Sequence, residues 1–145
     1  MSQSELLGVC GDDCDCCPRY IAAKNNDRRQ LEAVLALWVK LGWRDAATAP
    51  EDMRCSGCSF NNKKCAYPEQ LRCASARRLG NCGECNDYPC AMALRAFQRA
   101  EDLAKDCQRQ CSKEEYQTLR DAFFRKKKNL DAVHARGNSE SDAKA

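Results

Sequence analysis

One isoleucine, four valines and a single histidine are all that these 145 residues offer of three residue types on which many folds and active sites depend. So few β-branched side chains cannot pave a sizeable sheet, which argues against a β or α/β architecture. The lone histidine, His134, stands far down the chain and leaves no partner for a cysteine nucleophile of the protease kind. Glycine-rich phosphate loops are absent, and nowhere do eighteen apolar residues run together. Met1 to Val9 has neither a basic n-region nor a long apolar h-region, so a cytoplasmic protein with no membrane attachment is expected.

The apolar fraction, 43%, looks ordinary until it is opened, because much of it is alanine and cysteine. A thin aliphatic core leaves folding close to balance, and a structural metal can contribute about 10 kcal/mol or more. The formal charge of +3 assumes neutral thiols. Each divalent ion held by four thiolates would lower that balance by two, bringing the folded chain near neutrality. The one basic run, Arg125-Lys126-Lys127-Lys128, falls within a helical pattern and reads as a solvated helix face, so a nucleic-acid partner is not expected.

What is abundant is cysteine, thirteen in all. Ten form one spaced series: Cys10, Cys14 and Cys17, then Cys55, Cys58, Cys65, Cys73, Cys82, Cys85 and Cys90. Thiolates two or three residues apart can close on one ion around a tight turn, whereas bonding such neighbours directly would strain a disulfide. The odd count also disfavours a disulfide framework. All ten are candidate metal ligands. Paired C-x2-C knuckles point to zinc, while the C-x3-C-x2-C spacing of Cys10, Cys14 and Cys17 matches the triad of radical S-adenosylmethionine enzymes and keeps an iron–sulfur cluster as the alternative. Spacing does not choose the ligand sets. One arrangement puts Cys55, Cys58, Cys65 and Cys73 on one ion, with Cys10, Cys14 and Cys17 taking a fourth ligand from Cys82, Cys85 or Cys90; another joins the two knuckles. Cys16, Cys107 and Cys111 fall outside the series, the last two reading as small buried hydrophobes.

Helical spacing is clear in three places. Leu31, Val34, Leu35, Trp38 and Leu41 form an apolar stripe, with Asp27 and Gln30 as a capping box and Gly42 as a stop. Met92, Leu94, Phe97 and Leu103 predict a second helix. Ser112 and Glu115 cap a third, whose stripe of Tyr116, Leu119, Phe123, Leu130 and Val133 should pair with the second as an antiparallel hairpin through the link near Cys111. Trp43 to Cys90 reads as an irregular, metal-organised segment, with a short helical turn starting at Pro50-Glu51-Asp52. The expected fold is a mostly α, single cysteine-rich domain over residues 1–136, followed by a flexible, frayed tail, 137–145, whose residues are polar and small.

Cys10-Gly11-Asp12-Asp13-Cys14-Asp15-Cys16-Cys17-Pro18 resembles the opening C-G-x-x-C-x-x-C-P signature of a widespread bacterial and archaeal cysteine-rich family of unknown function. The resemblance continues through Tyr20-Ile21-Ala22, Asn26-Asp27, Pro50-Glu51-Asp52, Cys55-Ser56-Gly57-Cys58, Cys73-Ala74 and Cys82-Gly83-Glu84-Cys85-Asn86-Asp87-Tyr88-Pro89-Cys90. It implies metal binding and supplies no reaction. Members often carry a further cysteine between the positions of Cys65 and Cys73, where this chain has Pro68.

Three functions fit these residues: a structural zinc domain that presents a surface to a protein partner, an iron–sulfur electron carrier, and a small metalloenzyme. The last would recruit an acid from Asp12, Asp13, Glu84 or Asp87, which stand near cysteines. Apolar surface around Trp43 or Phe60 would mark the partner site of the first, which needs the fewest additional features.

Overall fold

The computed structural model describes residues 7–55 and 67–144, with side chains as far as Gly137. Among the described residues there are six α-helices and no strand beyond an isolated antiparallel bridge between Leu7 and Asp13. The helices are α1 (Pro18–Lys24), α2 (Arg28–Lys40), α3 (Pro68–Ala76), α4 (Ala91–Gln110), α5 (Lys113–Phe123) and α6 (Lys126–Lys144). Two 3₁₀ turns, Pro50–Met53 and Cys82–Glu84, lie between them. The architecture is mostly α, as the residue pattern predicts.

Helix ends are set by local chemistry. The Asp27 side chain accepts from the Gln30 backbone N–H at the start of α2, while the Gln30 side chain bonds Asn25 and so leaves the box half made. At α5 the box is complete, with Ser112 and Glu115 each receiving the other's backbone N–H. Three helices end in the same left-handed turn. After α2, Gly42 takes φ 76°, its N–H reaches the Val39 carbonyl, and the Trp43 N–H reaches that of Trp38. Asn26 after α1 and Arg78 after α3 repeat the pattern at φ 50° and 57°. This pairing of the last carbonyls satisfies groups a helix end otherwise strands, and an apolar contact commonly accompanies it. At α2 that contact is Trp43 against Trp38, with ring centroids 5.0 Å apart.

Two cores result. The larger joins α1, α2, the Pro50–Met53 turn, α5 and the end of α4 through Ala22, Leu31, Val34, Trp38, Met53, Cys107 and Leu119. Phe123 completes an edge-to-face trio with the two tryptophans. The smaller contains Tyr88, Ala93, Phe97 and Leu130, packed against Cys82, Cys85 and Cys90.

The structure departs from the sequence pattern in three places. Residues 68–76, within the stretch read as irregular, form α3. The long third helix is two, because Phe124 leaves helical geometry and α6 begins afresh at Lys126. Lys126 is not on a solvated face: it is 3% exposed, ion-paired with Asp12, and its ammonium lies 4.7 Å from the centre of the Tyr67 ring. Burial pushes its pKa down, and Cys10 opposes that shift. The backbone of α6 continues through Gly137 to Lys144.

Candidate metal centre

Of the ten candidate ligands, Cys58 and Cys65 lie outside the described residues, as does Phe60. The other eight fall into distinct neighbourhoods, and none of them is in a disulfide. Cys73, Cys82, Cys85 and Cys90 line one cavity of about 70 Å³, walled also by Ala74, Leu79, Tyr88 and Met92. Three segments deliver them. Cys73 rides on α3, the 3₁₀ turn starts at Cys82 and ends in Cys85, and Cys90 is the residue before α4. Burial pushes the Cys82 thiol up to about 11, the nearby Cys90, Cys73 and Cys85 sulfurs push the same way, and a hydrogen bond from Gln70 opposes them.

Cys14 and Cys55 are electrostatic neighbours of Cys17, whose thiol burial raises to about 11 against hydrogen bonds from the Tyr20 and Arg19 backbone. Arg19 explains this meeting across the sequence. Two residues past Cys17, its buried guanidinium donates to the carbonyls of Met53 at 2.6 Å, Asp52 at 3.3 Å and Arg54 at 3.2 Å, tying α1 to the strip of chain just before Cys55. Cys10 is buried beside Lys126. This grouping, with Cys73 beside Cys82 and Cys55 beside Cys17, matches neither arrangement considered from spacing. Among the described residues, no three histidine, cysteine or carboxylate side chains are poised to hold a metal ion as they stand. Cys16 turns away to Asp13, and Cys107 is buried in the larger core beside Cys111.

Both cysteine regions rest on α6. Gly11 and Gly83 each follow a candidate ligand, and each meets this helix with no room for a side chain. A Cβ on Gly11 would come 2.7 Å from the Lys126 carbonyl, and one on Gly83 would come 2.7 Å from that of Leu130. Gly11 also takes φ 97°. The helix binds the two turns in the same way: Asn129 donates to the Gly11 carbonyl at 2.9 Å, and His134 Nδ1 donates to that of Gly83 at 3.1 Å. A third link joins the regions directly, from the Cys82 N–H to the Val9 carbonyl at 3.0 Å.

The four acids that a catalytic site might recruit all have structural partners. Asp12 pairs with Lys126, Asp13 accepts from the Asp15 backbone and from Cys16, Glu84 accepts from the Gly80 N–H at 2.6 Å, and Asp87 pairs with Arg77 at 2.8 Å. Arg77 and Gln70 belong to no motif, and nothing in their spacing marks them. Arg77 donates to the Cys85 sulfur at 2.9 Å, and Gln70, 2% exposed, donates to that of Cys82 at 3.4 Å. Trp43, a candidate partner surface, is occupied in the aromatic trio.

Helices that carry little aliphatic mass, and cysteines gathered where it is missing, define a cysteine-rich helical domain. The chain belongs to the family described as protein of unknown function (DUF3795), whose model matches residues 6–95. That span ends near the start of α4, so α5 and α6 lie beyond it. No curated protein and no solved structure matches the chain. Among the described residues, no helix is long and apolar enough to cross a membrane.

Proposed function

We propose that the chain is a metal-binding domain in which cysteine thiolates hold zinc as a structural ion, and that the stapled fold serves to present a surface to a protein partner in the cytoplasm. The observation that carries this reading is the common cavity of Cys73, Cys82, Cys85 and Cys90. Four sulfurs are the number a closed tetrahedral site uses, and rotation about their χ1 bonds is the adjustment that would draw them onto an ion. A bound ion would also reverse the local acid–base balance, since coordination removes the thiol protons that burial retains.

A structural role is favoured over a catalytic one by the acids, each of which already has a partner within the fold. Catalytic zinc keeps an open position with a free acid or base beside it. An iron–sulfur carrier is the second reading, supported by the same all-cysteine donor set and by Cys14, Cys17 and Cys55 near one another. Elemental analysis with a visible spectrum, on protein purified without oxygen, separates the two. Near-stoichiometric zinc with no visible band is the expected result. Iron with inorganic sulfide and a broad visible band would replace zinc by a redox cluster, and neither metal would end both readings.

A further inference from the structure

The four-cysteine cavity has a cation at its rim. Arg77 lines it, the guanidinium Nη1 lying 2.9 Å from the Cys85 sulfur and 2.8 Å from an Asp87 carboxylate oxygen. The Asp87 backbone N–H points to the same sulfur at 3.4 Å. Local structure fixes this group. Arg77 is the C-cap of α3, the helix that carries Cys73, and its N–H is bound to the Cys73 carbonyl at 3.1 Å. The next residue, Arg78, turns the chain through left-handed geometry and closes the helix end with the Leu79 N–H on the Ala74 carbonyl. Arg77 thus leaves the helix that supplies one sulfur and reaches across to another supplied by the 3₁₀ turn.

A neutral thiol is a weak acceptor, whereas a metal-bound thiolate is a strong one for a charged donor. Four thiolates around a divalent ion leave an excess of two negative charges, and groups in the outer shell that donate to the ligands set how tightly the ion is held. We propose that Arg77 is a positioning residue of the four-cysteine centre, orienting the Cys85 sulfur and offsetting the negative charge of the loaded site, with Asp87 steering the guanidinium. Gln70 does the same uncharged work at Cys82, its amide donating at 3.4 Å. The inference rests on the metal-binding reading above.

Titration of the full chain with cobalt(II), followed by its charge-transfer and ligand-field absorption and by competition with zinc, tests both statements separately. Arg77→Met should weaken cobalt and zinc binding by about 10- to 100-fold and shift the sulfur-to-cobalt band, while Arg77→Lys restores part of the affinity. Asp87→Asn should weaken binding less, because the guanidinium keeps its charge. Melting of the metal-free protein supplies the control: the Arg77–Asp87 pair is largely exposed, so Arg77→Met should leave that melting nearly unchanged. Wild-type affinity and spectrum in Arg77→Met would overturn the role of Arg77. So would a loss that lysine fails to relieve and that matches a fall in metal-free stability. If Cys82→Ser and Cys90→Ser bind cobalt as the wild type does, the four-cysteine site itself fails, whatever Arg77 does.

Discussion

The two cores of this chain solve the same problem with different materials. Around Trp38, three aromatic rings meet edge to face, with Leu31, Val34, Met53 and Leu119 buried beneath them. Around Leu130 the buried partners are few: Ala93, Phe97 and Tyr88, whose hydroxyl bonds Asp131, with three cysteines packed against them. The first has the contacts of an ordinary small core and gains stability from area removed from water. The second has little such area and gathers side chains whose largest contribution comes from binding an ion. Dependence on metal should therefore be regional, concentrated on the side of Leu130, which α6 contributes to the second core.

Removing the metal tests that contrast most strongly, with up to about 10 kcal/mol concentrated on one side. After treatment with a strong chelator, amides in α3, the Cys82–Glu84 turn and the start of α4 should lose protection from hydrogen exchange. Those of α2 should keep theirs, and the tryptophan fluorescence should hardly move. Simultaneous loss of both signals would show one cooperative unit and break the comparison.

Core truncations reverse the asymmetry. Trp38→Ala removes the centre of the aromatic trio and should cost about 3–5 kcal/mol with or without metal. Leu130→Ala should cost about 2–5 kcal/mol in the loaded protein and much less after chelation, when the surface Leu130 covers is already loosened. Denaturant melts of the two variants, each with and without chelator, read both differences. Equal chelator sensitivity in the two would mean that the regions are not distinct.

Gly83→Ala is a smaller and more local probe. The added methyl would meet the Leu130 carbonyl and lie 2.9 Å from Val133 Cβ, forcing the 3₁₀ turn off α6. A cost of about 1–3 kcal/mol is expected, together with weaker metal binding because Cys82 and Cys85 move with the turn. Gly42→Ala, in the other region, meets no atoms within 4 Å and strains only its own backbone. It should cost about 1 kcal/mol and leave metal affinity unchanged.

The Trp38 region was also the more legible in sequence. Its apolar residues recur at helical spacing, Asp27 and Gly42 mark its ends, and Ser112 with Glu115 announces α5. In the cysteine region these signals fail for physical reasons. The buried residues of α3 are Gln70 and Ala74, so it shows no apolar stripe. Lys126 stands in a run of four cations, and Asp12, Tyr67 and Cys10, all distant in sequence, make its burial tolerable. The break at Phe124 has no glycine or proline to mark it, and the stripe from Phe123 to Leu130 keeps helical spacing across it. The cysteine series named the residues of the candidate centre, but its grouping depends on Arg19 and on the turn after α3, which no spacing rule encodes.

That turn offers the finest test of the comparison. In the Trp38 region the left-handed residue after α2 is Gly42, which adopts that geometry freely; in the cysteine region it is Arg78, whose Cβ crowds the backbone there. Arg78→Gly should relieve about 1 kcal/mol of folded-state strain, partly offset by the greater freedom glycine gives the unfolded chain, for a net gain of a few tenths up to about 1 kcal/mol. Because the strained residue adjoins Arg77, the backbone there is an adjustable part of the cavity rim. Greater metal-free stability with unchanged cobalt affinity would mean that the turn acts only as a helix cap. The same stability gain with weaker cobalt binding would mean that the arginine side chain restricts the turn to the geometry that aims Arg77 at Cys85, so that strain in this region maintains the centre while the matching turn beside Trp43 has none to maintain.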